Sequence, residues 1–177
     1  MTPHLANTPV LETDRLILRA HRMDDFETLA PVLGSDHARY MGGPMTRKQA
    51  WSSFCSDIAQ WALLGHGAWA ADQRDTGEFI GQITIIKPPH FPETEIGWVF
   101  LPQAEGQGYA QEAARAALTF AFDTLQLTTM VSYIDRQNAR SIALAERLGA
   151  TPDATAKHAY PEDDDVVYRH HPPEATP

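Results

Sequence analysis

At 177 residues, with 43% hydrophobic and 21% charged side chains, the chain has the size and composition of one soluble globular domain. It is long enough to bury roughly 70% of its unfolded surface without disulfide or metal staples. Fourteen Lys and Arg oppose twenty-three Asp and Glu, a formal charge of −9 that disfavours nucleic-acid backbones and either steers cationic partners such as amines or simply keeps the chain soluble.

Residues 1–9 hold two prolines and no periodicity, and Met1-Thr2-Pro3-His4-Leu5 lacks the basic and apolar regions of a signal peptide, so a loose lead-in is expected. Leu11–Arg19 alternates and then turns apolar, which predicts a first strand. Asp24 and Asp25 open a short helix that ends at Gly34 and that Pro31 should bend. Gly42-Gly43-Pro44 breaks the chain, and Thr46 can cap a second helix carrying Ala50, Trp51, Phe54, Ile58, Trp61 and Leu64. The single cysteine, Cys55, falls in that helix as a core filler; alone it allows no internal disulfide and fits a reducing cytoplasm. Ala68–Ala71 and Phe79–Ile86 read as strands joined through Arg74-Asp75-Thr76-Gly77, and residues 87–92 form a stiff proline-rich loop.

Glu95–Leu101 is an apolar, β-branched and aromatic strand that Pro102 should stop. Apolar residues at Ala110, Ala113, Ala114, Ala117, Leu118, Ala121, Phe122 and Leu125 then mark an amphipathic helix. Thr129–Ile134 is a further strand, and Asn138 can cap a helix followed by Gly149. Asp165–Arg169 reads as a closing strand, with a frayed tail after it. The order β α α β β β α β α β predicts a mixed sheet with helices on both faces and locally parallel strands in the second half. No stretch approaches the length of a membrane span.

Gly106 and Gly108 stand between the apolar strand and the long helix. Unpaired first-turn N–H groups, a positive dipole end and missing Cβ atoms suit such a joint to a phosphate. A Gly-x-Gly alone is as often a tight turn. There is no Gly-Lys-Ser/Thr and no third glycine of a dinucleotide fingerprint. The spacing that fits is Gln-x-x-Gly-x-Gly, at Gln103, Gly106 and Gly108, which resembles the coenzyme A loop of the GCN5-related N-acetyltransferases (GNAT). Leu11–Arg19, Gly106–Ala113, Asn138-x-x-Ser141 and Leu148-Gly149 are similar to the branch containing the RimJ/RimL ribosomal-protein N-terminal acetyltransferases.

The resemblance implies a single α/β (α+β) domain over residues 10–170. Its central sheet would be mixed and mostly antiparallel, with helices on both faces and a splayed parallel pair at the coenzyme site. Residues 1–9 and 171–177 would be flexible termini. It further implies a cytoplasmic enzyme that moves an acetyl group from acetyl-CoA to a primary amine, a peptide N-terminus or a small molecule, by direct attack in a ternary complex. No metal, nucleic acid or membrane is called for, and a homodimer is one possible state. Coenzyme contacts would come from Trp98, Val99, Phe100 and Leu101 on the strand, from Gln103, Glu105, Gly106, Gln107, Gly108, Tyr109 and Ala110 in the loop, and from Asn138. A backbone N–H near Phe100 or Leu101 would hold the oxyanion.

The chemistry also needs a proton acceptor for the amine and a proton for the leaving sulfur. Glu95 begins the central strand, where the resemblance implies a carboxylate working through water, and it would be the base or only a rim charge; Glu93 lies two residues away, and His66 and His90 are weaker alternatives. Many relatives place a tyrosine one or two turns after the Asn; seven residues on, this chain has Ala145, and Ser141 is the candidate donor instead. The rival expectation is a coenzyme A-binding module without turnover, which the missing tyrosine favours.

Overall fold

An eight-stranded sheet organises the computed structural model, which describes residues 8–160 and 162–172. The strands are β1 (Leu11–Glu12), β2 (Leu16–Arg19), β3 (Ala68–Gln73), β4 (Phe79–Ile86), β5 (Glu95–Phe100), β6 (Met130–Asp135), β7 (Thr151–Pro152) and β8 (Asp165–His170), in the spatial order 1-2-3-4-5-6-8-7. Every neighbouring pair is antiparallel except β5 and β6. The mixed, mostly antiparallel sheet with a parallel pair is thus as expected.

The helices are α1 (Met23–Leu33), α2 (Arg47–Leu64), α3 (Tyr109–Thr119) and α4 (Ala139–Arg147). Alternation along the strands sorts them onto two faces. Ile83, Ile85, Ile96 and Phe100 pack with the α3 stripe of Ala113, Ala114, Ala117 and Leu118. Val99, on the other face, joins Phe26, Leu29 and Leu33 of α1 and Ala50 and Phe54 of α2. Thr46 caps α2 with a reciprocal Gln49 box, and Asn138 Oδ1 accepts the Ser141 N–H at the start of α4. Gly67 lets α2 approach β3, since a Cβ there would lie 2.6 Å from the Asp57 carbonyl oxygen.

Two sequence expectations are corrected, and one strand was not foreseen. The first strand is two, because Thr13 folds the chain into a turn: its N–H donates to the Leu16 carbonyl at 3.0 Å, and the Leu16 N–H donates to its hydroxyl at 2.9 Å. The long helix stops at Thr119 and continues as a π-helical turn, Phe120–Thr124, where the Leu125 N–H donates to Phe120 O. The two-residue edge strand β7 carries too little pattern to be read, and edge placement tolerates its proline. The termini expected to be flexible lie outside the described residues apart from 8–9 and 171–172. Pro9 there accepts the Trp69 indole N–H at 2.8 Å. No helix among the described residues is long and apolar enough to cross a membrane.

Candidate active site

The parallel pair is joined at a single register point, Glu95 opposite Val131. The Val131 N–H donates to Thr94 O at 3.0 Å, and the Ser132 hydroxyl takes Ile96 O at 2.8 Å in place of a backbone donor. Beyond Ile96 the two strands part. His170, almost wholly buried in β8, sits 3.1 Å from the Ser132 hydroxyl through Nε2. Since that hydroxyl donates to Ile96 O, His170 is the donor. Burial holds the imidazole down at about 4, so it stays neutral and the knot that starts the split is independent of physiological pH.

Strand alternation determines what faces the gap. The Leu101 N–H donates to Ile80 O at 2.8 Å, on the β4 side. Trp98 and Phe100, of opposite parity, therefore turn their N–H groups toward the opening. Leu101 is thereby removed as an oxyanion donor, and Phe100 keeps that possibility. On the same edge His37 Nε2 lies 3.1 Å from Phe100 O and 3.5 Å from Glu105.

A cavity of about 740 Å³ runs from this gap past the α3 and α4 N-termini. Among the expected coenzyme residues, Trp98, Val99, Phe100, Glu105, Gly106, Gly108, Tyr109, Ala110 and Asn138 line it, with the candidate donor Ser141. Leu101 is buried behind the strand, while Gln107 donates through its amide to Gln103 O at 2.8 Å, and neither glutamine lines the cavity. Gly106 (φ 74°) and Gly108 (φ 82°) adopt the left-handed turn that only glycine takes without strain. The first N–H groups of α3 have no intrahelical acceptor and open onto this cavity.

The loop is held from behind. Glu112, in the first turn of α3, accepts from the Thr13 hydroxyl (2.6 Å), the Arg15 N–H (2.8 Å) and Arg15 Nε (2.7 Å). Arg15 also donates to Gln107 O at 3.0 Å and lies 4.6 Å above the Tyr109 ring. The β1–β2 turn thus fixes the helix start. Glu105 would repel an anion, but Arg140 Nη2 neutralises it at 2.5 Å. Arg39 and Arg147 line the same wall. Open amides, left-handed glycines and arginines fit a pyrophosphate-bearing ligand.

A second cavity, of about 610 Å³, shares Tyr40, Met41, Trp98, Val99, Asn138 and Ser141 with the first. Its floor is the α1–α2 face of the sheet: Gln82, Thr84 and Ile86 of β4 opposite Val99, Gly97 and Glu95 of β5. Asp57 of α2, Asp165 of β8, Tyr133 of β6 and the loop residues His90, Phe91 and Tyr160 complete it. The Glu95 carboxylate accepts the Tyr133 N–H at 3.4 Å, at the mouth of the split. Burial pushes its carboxyl up to about 8, assisted by the like charges of Asp57 and Asp165 and opposed by the Tyr133 N–H. Burial alone pushes Asp57 up to about 7. Both are poised for proton exchange near neutrality.

Glu95 and Ser141 therefore meet in one cavity. The two alternatives His66 and Glu93 are occupied elsewhere: His66 Nδ1 pairs with Ile85 O at 2.8 Å, and Glu93 is forked onto Arg169 at 2.7 and 2.9 Å. His90 lines the rim and contacts the Tyr160 hydroxyl at 2.9 Å. Trp98 Nε1 donates to Ser141 Oγ at 3.2 Å, which leaves the serine proton free to point into the cavity. Sequence reading passed over Asp57, Gln82, Asp165 and Tyr40, isolated side chains that carry no local motif.

A family model described as an acetyltransferase (GNAT) domain matches residues 15–151. Protein YkkB of Bacillus subtilis is 37% identical over 143 residues, covering 78% of this chain and 83% of its own. The crystal structure of an acetyltransferase from Agrobacterium tumefaciens superposes with a TM-score of 0.90 at 45% identity, covering 93% of this chain and 95% of that one. RimL, a ribosomal L7/L12 alpha-N-protein acetyltransferase solved with coenzyme A, shares the fold at a TM-score of 0.73 and 16% identity, over 92% and 98% of the two chains.

Proposed function

The chain belongs to the acetyltransferase (GNAT) domain family, and on that premise we propose that it acetylates a primary amine, a peptide N-terminus or a small molecule, by direct attack within a ternary complex. As a family member it is an N-acetyltransferase that uses acetyl-CoA. The observation that carries the finer reading is the meeting of two cavities at Trp98, Val99, Asn138 and Ser141, where β5 and β6 part. One holds anion-binding amides and the other carboxylates, so a thioester and an amine can approach each other from opposite faces of the sheet.

In this reading the α3 amides, Gly106 and Gly108 hold the pyrophosphate, and Trp98 and Phe100 orient the pantetheine arm through their outward N–H groups. The amine nitrogen bonds to the acetyl carbon while the C–S bond breaks, and the nitrogen's second proton passes to water. Glu95 takes the ammonium proton, directly or through water; its raised pKa suits a base working near neutral pH. The Phe100 N–H faces the position where negative charge develops on oxygen. Ser141, held by the Trp98 indole, gives a proton to the sulfur and recovers one from solvent. Ala145 stands where many relatives have tyrosine and is fully buried, so no acid comes from that position. A thiol pKa of roughly 8.5 makes sulfur a good leaving group, and a serine assist suffices.

Thiol release from acetyl-CoA across a panel of amines tests the proposal. Turnover with at least one primary amine, and saturation in both substrates without a ping-pong pattern, is the expected result. Coenzyme A binding with no release on any amine would leave only the binding module.

A further inference from the structure

One ladder hydrogen bond is missing where β5 and β6 part, and side chains occupy both of its ends. Parity identifies the bond. The odd-numbered residues of β5 pair with β4, so Ile96, Trp98 and Phe100 turn their backbone groups toward β6. The Val131 N–H donates to Thr94 O. In a continuing parallel ladder the next bond would run from the Tyr133 N–H to Ile96 O.

Each of these two groups goes to a side chain instead. Ile96 O accepts the Ser132 hydroxyl at 2.8 Å, and the Tyr133 N–H donates to the Glu95 carboxylate at 3.4 Å. Ser132 and His170 are each only 2% exposed, so the cap on Ile96 O is shielded from solvent. His170 fixes the direction of the cap. With its proton on Nε2 it donates to Ser132 Oγ at 3.1 Å, the hydroxyl donates onward to Ile96 O, and only the Nδ1 lone pair is left unpaired. With the proton on Nδ1, that buried N–H and Ile96 O would both be orphaned, which costs more.

The Tyr133 N–H thus has two competing acceptors. While Ser132 occupies Ile96 O, the N–H goes to the carboxylate. Without that hydroxyl, a buried carbonyl and the N–H opposite it would be satisfied together by one more rung of ladder. The split would then begin further along the strands, and Glu95 would lose the one protein donor that its carboxylate has among the described residues. The other titratable groups of the cavity are Asp57 of α2, Tyr133 of β6, Asp165 of β8, and Tyr40, His90, Tyr160 and Asp163 of the loops. No lysine or arginine stands among them to take the place of that donor.

We propose that Ser132 is a positioning residue for the base: it caps Ile96 O, keeps the ladder from closing by another rung, and so leaves the Tyr133 N–H to hold the Glu95 carboxylate at the mouth of the split. Ser132 acts only through that N–H, and His170 serves it by orienting the hydroxyl. This assignment rests on the reading of Glu95 as the base of acetyl transfer, but the link between amide and carboxylate is read without any substrate.

The experiment follows the Tyr133 amide and the Glu95 carboxyl carbon by NMR across the pH range in the wild-type protein, Ser132→Ala and Ser132→Thr. In the wild type the amide resonance is expected to move with the Glu95 midpoint, near 8. In Ser132→Ala the amide should stop following the carboxyl and exchange with deuterium about tenfold more slowly, as a ladder bond replaces a long one. The Glu95 midpoint should rise by about half a pH unit or more, because a donor to the charged form is lost. Ser132→Thr keeps the hydroxyl and should restore both. In the enzyme assay the pH step of kcat/KM should move with the carboxyl midpoint and kcat should fall about tenfold, a pairing that loss of packing alone would not produce. A wild-type amide indifferent to Glu95, or a Ser132→Ala protein that titrates as the wild type does, would overturn the proposal. The wild-type comparison needs no variant to fold. Thiol release separates the two readings: an amide that follows Glu95 with no release on any amine refutes only acetyl transfer, and turnover whose pH step Ser132→Ala leaves in place refutes only the positioning role.

Discussion

Replacing Glu95 with Gln removes basicity while keeping the shape of the side chain and an oxygen to accept the Tyr133 N–H. A base whose carboxyl titrates at about 8 is largely protonated at pH 6 and largely ionised at pH 9. Wild-type kcat/KM, which reports the free enzyme, should therefore rise about tenfold per pH unit below 8 and level off above it. The titratable groups that line the cavity with Glu95 are Tyr40, Asp57, His90, Tyr133, Tyr160, Asp163 and Asp165, and filling the site with a cation moves the step to lower pH. In Glu95→Gln, kcat at pH 8 should fall roughly 10²- to 10⁴-fold, the usual scale of general-base catalysis, and the step should vanish. Stability supplies a second readout with a defined sign. The folded carboxyl holds its proton more tightly than the unfolded one, so its contribution is fully present below the unfolded value of 4.5 and is lost as pH rises through about 8. That loss is on the order of 4 kcal/mol. The variant lacks it, so its melting temperature should decline less between pH 5 and pH 9. Steady-state kinetics across pH 6–10 and thermal melts at both extremes provide the measurements. A variant with unchanged kcat and a raised KM would refute the reasoning and make Glu95 a substrate-binding group.

Gly108→Val forces a branched residue into φ 82° and directs it toward Arg15, whose Nη2 lies 3.4 Å from the Cβ position. Coenzyme A affinity should fall at least about tenfold, more than fold stability does, and unchanged binding by calorimetry would sink the phosphate-loop assignment. Ser141→Ala should lower kcat about tenfold, the modest end of acid–base effects because sulfur leaves readily, with acetyl-CoA KM nearly constant. An unaltered kcat would show the thiolate leaving unassisted. Arg19 binds Asp25 at 2.8 and 2.9 Å and Asp72 at 2.5 and 2.7 Å inside the fold. Arg19→Ala strands both carboxylates and should cost about 3–5 kcal/mol, roughly 10 °C in melting temperature at pH 7, and a shift of only a degree or two would contradict it. Arg19, the His21 ring and the Arg22 N–H, against the cost of burial, hold the Asp25 carboxyl well below its usual range, so its stabilising contribution should persist at neutral pH and be lost only on acidification below about 4.

The sequence alone determined whatever depends on neighbours within a few residues. The glycine spacing of the loop, the alanine stripe of α3, the Thr46 and Asn138 caps and the stop at Pro102 are local, because helix starts, turns and strand faces are decided over one or two turns of chain. The candidate coenzyme wall and the candidacy of Glu95 and Ser141 came from the family resemblance that those motifs carry. Local pattern failed where a side chain changed the backbone path, at the Thr13 turn and in the π-helical end of α3. Tertiary structure alone decided which N–H groups face the gap: the Leu101 donor was lost to Ile80 O, a partner twenty-one residues away that no spacing rule could supply. It also assembled the acceptor cavity. Asp57 belongs to a helix, Gln82 and Glu95 to different strands, Asp165 to the last strand, and Tyr160 to a loop, and none carries a motif by itself. Their charges matter only through shared burial, and burial is a property of the closed fold: a carboxylate with an ordinary pKa in the extended chain is pushed to about 8 once the sheet and α2 exclude water from it.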